Sequence, residues 1–188
     1  MPDPILRLHH FEPLSRSNGP GLRSVIWVQG CTLNCPGCFN PRTHASQSGQ
    51  VVGISDLFER ILAGAGQIEG ITISGGEPLQ QAPALLELLK RVKSETGLST
   101  LVFTGFTWEE AARIPQIEEL LDCIDVLLAG RYRSDLRIAS GLRGSSNKTV
   151  HFLSARYNQS DLDQVPPAEV IIDPTGEIRF SGIEPLRE

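Results

Sequence analysis

The sequence predicts an α/β fold with a mostly parallel sheet and covering helices, followed by a C-terminal β-hairpin. Three observations predict it. Short β-branched or apolar runs alternate with helical patterns between residues 24 and 128. Loops rich in Cys, Gly and Pro follow those runs, as they do at the C-terminal ends of parallel strands. Finally, Asp173-Pro-Thr-Gly176 sits between two apolar runs with Asp, Pro and Gly where a type I turn places them.

In chain order, residues 1–22 read as irregular, with a turn-rich piece Ser17-Asn-Gly-Pro-Gly21. Residues 24–29 are β-branched and apolar, the pattern of a buried strand. A cysteine-rich loop follows directly. Ser55 can cap a helix whose apolar face holds Phe58, Ile61 and Leu62. Residues 70–74 form a short strand that ends in Gly75-Gly-Glu-Pro78. Residues 82–95 carry Leu85, Leu86, Leu89 and Val92 at helical spacing. Residues 100–103 are a strand ending at Thr104-Gly105, and 107–121 are helical but broken near Pro115. Residues 124–128 are a strand ending at Ala129-Gly130, and 148–152 one more. Residues 169–172 and 177–180 are the arms of the hairpin. The expected organisation is a core of residues 1–153, with 154–188 as an extension of the same domain.

Composition narrows the function classes. The chain has 188 residues, 40% hydrophobic and 21% charged, which suits one compact domain with a real core. A formal charge of −5 argues against nonspecific binding to nucleic acid or anionic membranes. No apolar run approaches the ~20 residues a bilayer span needs. The N-terminus lacks the basic-then-apolar pattern of a secretory signal, so the cytoplasm is the expected compartment. The four cysteines, three of them crowded together, do not read as a disulfide framework.

Those three are Cys31, Cys35 and Cys38, in C-x3-C-x2-C spacing. Pro36 and Gly37 favour a tight turn that bunches the thiols. Three clustered thiolates can hold three irons of a four-iron, four-sulfur cluster and leave the fourth iron open for chemistry. A structural zinc site needs four ligands. His44 or Cys123 would have to complete it, and Cys123 is expected at the far end of the sheet as a small core residue. Accidental clustering of ordinary thiols is the third alternative.

The cysteine spacing, with Phe39 after Cys38 and Gly75–Pro78 after the next strand, resembles the radical S-adenosylmethionine superfamily. Asn18-Gly-Pro-Gly-Leu-Arg23 and Gln29–Asn40 are similar to the activating proteins of glycyl radical enzymes. Ser48–Gln50, Phe103–Phe106, Arg143–Asn147 and Val150-His151 are similar to the branch that serves anaerobic ribonucleotide reductase. The resemblance covers residues 14–153 and departs at Ala129-Gly-Arg131, where that branch carries Asp-Gly-Lys. Arg is not a neutral swap for Lys at a site, so the substrate comes into question more than the chemistry.

The resemblance implies a partial (β/α) barrel with an open side. It implies that Cys31, Cys35 and Cys38 ligate a 4Fe-4S cluster, and that the open iron binds S-adenosylmethionine. Reductive cleavage then yields a 5′-deoxyadenosyl radical that abstracts hydrogen, from a glycine of a partner glycyl radical enzyme or, alternatively, from a small molecule or peptide. Gly75, Gly76, Glu77, Thr104 and Phe39 are the expected cofactor-binding residues. The glycines would allow close approach of backbone to ligand. Glu77 would aid the methionyl ammonium or brace the loop, and Phe39 would pack near adenine. A flavodoxin or ferredoxin is the implied electron donor. Asn147 and His151 would lie near the cofactor or satisfy backbone groups, and Trp27 and Trp108 would be packing residues.

Overall fold

The computed structural model describes residues 2–173 and 175–184. Its elements run β1 (Ile5–Ser15), β2 (Arg23–Val28), β3 (Gln50–Gly53), α1 (Ile54–Gly64), β4 (Gly70–Gly75) and α2 (Ala82–Glu95). Then follow β5 (Ser99–Phe103), α3 (Trp108–Ala111), α4 (Ile117–Asp122) and β6 (Val126–Ala129). The last third holds β7 (Arg137–Ser140), β8 (Arg143–Ser145), β9 (Thr149–Phe152), α5 (Gln159–Asp163), β10 (Ala168–Ile172) and β11 (Ile178–Gly182).

One seven-stranded sheet has the order β3-β1-β2-β4-β5-β6-β9. Its centre, β2-β4-β5-β6, is parallel, and the flanking pairs are antiparallel. β7–β8 and β10–β11 are separate two-stranded hairpins. The mixed α/β fold with a mainly parallel centre and a C-terminal hairpin therefore stands. No helix among the described residues is long and apolar enough to cross a membrane.

Register separates the two faces of the sheet. Ile26, Ile73, Val102 and Leu127 pair across β2, β4, β5 and β6 and face the main core. There they meet Phe58 and Ile61 of α1 and Leu85, Leu86, Leu89 and Val92 of α2. Burying each such side chain stabilises by roughly 1.5–3 kcal/mol. The next residues along, Trp27, Ser74 and Phe103, alternate to the opposite face. That face is only partly filled, by Leu142 and by Leu162 of α5.

Two expectations change. Residues 5–15 are not irregular: they form the longest strand and join the sheet between β2 and β3. Register shifts between Leu8 and His10 and between Glu12 and Ser15 break its alternation, and Pro13 interrupts the pattern further. Ser55 does not cap α1. Gly53 is the cap residue, and Ser55 instead donates its amide and hydroxyl to the Asp3 carboxylate at 3.2 and 3.0 Å. The expected turn at 173–176 falls partly outside the described residues. Gly176 N–H donates to Asp173 O at 2.9 Å, closing the turn, but Pro174 lies outside the described residues.

Candidate active site

The cysteine loop leaves the C-terminal end of β2. Asn34 has φ 46° and Gly37 φ 70°, left-handed values that Asn and Gly tolerate best. Cys38 N–H donates to Cys35 O at 3.1 Å, so Cys35-Pro-Gly-Cys38 is a turn with Gly at its third position, as a type II turn requires. The three thiols are free and half-buried. Asn40 N–H donates to Cys38 Sγ at 3.4 Å.

The loop is held from behind. Gly30 N–H and Cys31 N–H donate to Thr43 O and His44 O at 2.7 and 3.1 Å. The buried Gln29 amide donates to Arg42 O and Ala45 O at 3.1 and 2.8 Å. Thr32 is gripped by the Gln80 side chain.

The Gly-Gly-Glu segment follows β4 beside that loop. A Cβ on Gly75 would stand 2.6 Å from the Val28 backbone, and one on Gly76 would stand 2.3 Å from Gly30 O. The physical need for glycine is thus close packing of this segment on the root of the cysteine loop. Gly76 N–H and Glu77 N–H donate to Val28 O and Gly30 O at 2.8 and 2.9 Å.

Glu77 is fully buried and acts as a brace. Its Oε1 accepts from Thr104 Oγ1 at 2.7 Å and Leu79 N–H at 2.9 Å, and its Oε2 accepts from Gly105 N–H at 2.7 Å. Burial pushes its carboxyl up, and these three donors pull it down. The Thr104 hydroxyl is committed to this brace and also accepts from Phe106 N–H at 3.0 Å.

Cys31, Cys35, Cys38, Phe39, Gly75, Gly76, Glu77 and Thr104 all line one cavity of about 350 Å³. That size falls in the range of small-molecule sites, roughly 300–1,000 Å³. Its floor includes Trp27, Ser74 and Phe103, on the sheet face away from α1 and α2. Phe39 stands at the rim, 38% exposed, its ring 4.4 Å from that of Tyr132. A Cβ on Gly144 would come 2.5 Å from the Phe39 ring, so β8 needs glycine to admit it.

Sequence reasoning missed two parts of this cavity. Lys148, just before β9, is half-buried and lines it, and its ammonium donates to Gly130 O. Burial pushes its pKa down, while Cys35, Glu77 and Cys38 favour the charge. The C-terminal hairpin supplies Ile171, Arg179 and Ser181, and β1 supplies His10 and Glu12. Lys148 carried no motif. The hairpin's approach to β1 depends on contacts more than 150 residues apart.

Other singled-out residues stand elsewhere. Arg131 does not face the thiols as a free cation: its guanidinium grips Glu110 at 2.6 and 3.1 Å and Gly105 O at 2.5 Å. Asn147 donates to Arg131 O at 2.9 Å, and His151 stacks on Trp108 at 4.3 Å. Both serve the sheet edge. Arg23 is fully buried at the other end of β2, and Cys123 is buried at the end of α4. Trp27 is half-buried in the cavity wall, not a core residue.

The chemistry of the donor set fits an iron–sulfur cluster. Among the described residues no three His, Cys, Asp or Glu side chains converge as ligands of one ion do. Thiolates of a four-iron cluster each hold a different iron and need not converge. An N–H donor to Cys38 Sγ and the Lys148 ammonium on the same cavity suit a cluster of negative sulfurs.

Residues 17–151 match the family model described as a 4Fe-4S single cluster domain. The chain is 36% identical over 158 residues to the anaerobic ribonucleoside-triphosphate reductase-activating protein of Salmonella typhimurium, covering 79% of this chain and 99% of that one. The Escherichia coli K12 protein of the same name is also 36% identical, with the same shares covered. A pyruvate formate-lyase-activating enzyme of Staphylococcus aureus is 34% identical over 164 residues, 84% of this chain and 64% of the other. A 4Fe-4S domain takes an iron–sulfur cluster, which removes the zinc alternative. With three thiols and the Gly-Gly-Glu brace on one cavity, this chain belongs to the radical S-adenosylmethionine family of glycyl radical enzyme activating proteins.

Proposed function

We propose that this protein installs a glycyl radical on a larger partner enzyme, most plainly one of the anaerobic ribonucleotide reductase type. The observation that carries the reading is the meeting of three free thiols, the Gly75–Glu77 segment and the Lys148 ammonium on one cavity. When bound and reduced, the cluster and S-adenosylmethionine supply a 5′-deoxyadenosyl radical.

The chain's own residues do the rest. Cys31, Cys35 and Cys38 would hold three irons as thiolates. Burial pushes the Cys31 thiol up, so its ligation would displace a proton. The amides of Gly76 and Glu77 are spent on Val28 and Gly30, so this segment offers a methionyl ammonium carbonyl oxygen. Glu77 and Thr104 would keep the strand ends in register beneath the ligand. Lys148 offers a carboxylate the cation that Arg131, tied to Glu110, does not. Phe39 at the rim would cover adenine. The half-filled sheet face fits a partial (β/α) barrel with an open side. The same reading keeps residues 1–153 as the catalytic core and 154–188 as its extension, places the protein in the cytoplasm, and draws the electron from a flavodoxin or ferredoxin.

The test is anaerobic reconstitution with iron and sulfide, then reduction with S-adenosylmethionine. Release of 5′-deoxyadenosine, lost completely in Cys35→Ala, is expected. Incubation with the host's glycyl radical enzymes should give a glycyl signal by electron paramagnetic resonance, and no signal with any of them sinks the partner role. One observation favours a second reading: the hairpin supplies part of the cavity lining. If deoxyadenosine release depends on an added peptide or small molecule instead, the protein acts alone.

A further inference from the structure

The C-terminal hairpin lies outside residues 17–151, which the family model matches, and the Salmonella relative leaves about a fifth of this chain uncovered. We propose that the hairpin's outer face, formed by Val170, Ile172, Ile178 and Phe180, is the docking surface for the glycyl radical enzyme. The inference rests on the function proposed above and names where that partner sits.

The hairpin has two unlike faces. Glu169 pairs with Ser181 and Ile171 with Arg179 across the strands, and these four are partly buried. Val170 pairs with Phe180 and Ile172 with Ile178, and these four are 49%, 47%, 67% and 56% exposed. Strand alternation makes them opposite faces.

The inner face is fastened by polar contacts. The Glu169 carboxylate accepts from Ser15 Oγ, from Ser17 Oγ at 2.9 Å and from Arg16 N–H at 2.8 Å. Asn18 Nδ2 donates to Ser181 Oγ at 2.7 Å, and Arg179 pairs with the buried Glu12 at 3.2 Å. A lone two-stranded hairpin is marginal in water, so these contacts hold it against the body.

The outer face takes no part in that fastening, yet it is the apolar one. Ten large hydrophobic residues are exposed among the described residues, and four of them sit on these two strands. Such concentration marks a surface that something covers. No charged side chain points outward among those four pairs of positions, which suits a protein surface and not nucleic acid.

Its position selects the occupant. Phe180 is half exposed on this face and also lines the cavity, as do its neighbours Arg179 and Ser181. The apolar face therefore meets, at Phe180, the cavity that a glycine loop must reach. An enzyme that delivers such a loop has to rest its surface there.

The experiment uses the full reconstituted protein with Val170→Thr, Ile172→Thr and Ile178→Thr combined. These side chains do not line the cavity, and Thr keeps strand propensity. Partner-free 5′-deoxyadenosine release should stay within about twofold of wild type. The partner concentration for half-maximal glycyl radical formation should rise about tenfold or more, with the maximal yield unchanged, as for loss of interface anchors. If the triple variant loses basal release, Ile172→Lys alone is read in its place. A half-saturation within about twofold of wild type overturns the proposal. So does a wild-type dimer that the substitutions dissociate without changing partner half-saturation, since the face would then serve a second copy. Deoxyadenosine release by wild type with no glycyl signal on any host partner sinks the functional reading as well, so the two failures are distinguishable.

Discussion

The parallel strands bury one charge at each end, and the two are handled differently. At the N-terminal end, the Arg23 guanidinium is fully buried and makes six hydrogen bonds, to the oxygens of Thr72, Pro20, Ser99, Tyr157 and Ile71. At the C-terminal end, Glu77 is as deeply buried but makes three, and it stands in the wall of a cavity beside thiols and Lys148. Arg23 ties β2, β4 and β5 together and touches no cavity of the site. Glu77 ties the loops that line the cavity. Burial alone marks neither as functional; what each brace faces decides it.

The largest effect is expected at Arg23. Arg23→Met leaves several buried oxygens without donors and should cost about 3 kcal/mol or more. Urea unfolding of the cluster-free chain measures it, and iron bound per folded molecule should not change.

Glu77→Gln is the counterpart. The amide must point its NH2 at a backbone N–H, of Leu79 or of Gly105, so the loss should be about 1–3 kcal/mol. Deoxyadenosine release should fall with it. Its pH dependence has a sign. Burial raises the folded pKa above the unfolded one, so the native state holds the proton longer. Wild-type stability from this group is then lost as pH rises through the folded pKa, and the variant lacks that slope. Urea midpoints from acid to neutral pH should show wild type losing ground to the variant.

Lys148→Met sharpens the contrast by removing charge without bulk. Stability should hold or improve, because an ammonium's desolvation is relieved. KM for S-adenosylmethionine should rise about tenfold, equivalent to ~1.4 kcal/mol, with a smaller change in kcat.

The smallest effect lies in the hairpin turn. Asp173 accepts from Thr175 and Glu177 amides and from the Thr175 hydroxyl, which holds its carboxyl down at about 2. A depressed carboxylate stabilises above its unfolded pKa and stops doing so as pH falls toward 2. Exchange of the Thr175 and Glu177 amides, corrected for intrinsic rates, should quicken across that window.

Legibility followed the range of the interactions. α2 was readable because its apolar stripe is local, and its bounds match residues 82–95. The cavity's thiols and the Gly-Gly-Glu segment were readable because motif and strand end coincide. β1 was not, because two histidines, a buried Glu12 and Pro13 disguise a strand whose register slips twice. The role of the glycines at 75 and 76 also escaped, because the atoms they must clear belong to Val28 and Gly30. Glu77 showed its charge in sequence but not its donors, two of which come from the end of another strand.

The bond between Glu169 and Ser15 joins residues 154 positions apart. During synthesis, residues 1–153 emerge before the hairpin that completes the cavity wall. All seven strands of the main sheet lie within those residues. The cavity's lining is complete only when the last two strands have joined the body, because Ile171, Arg179 and Ser181 belong to them.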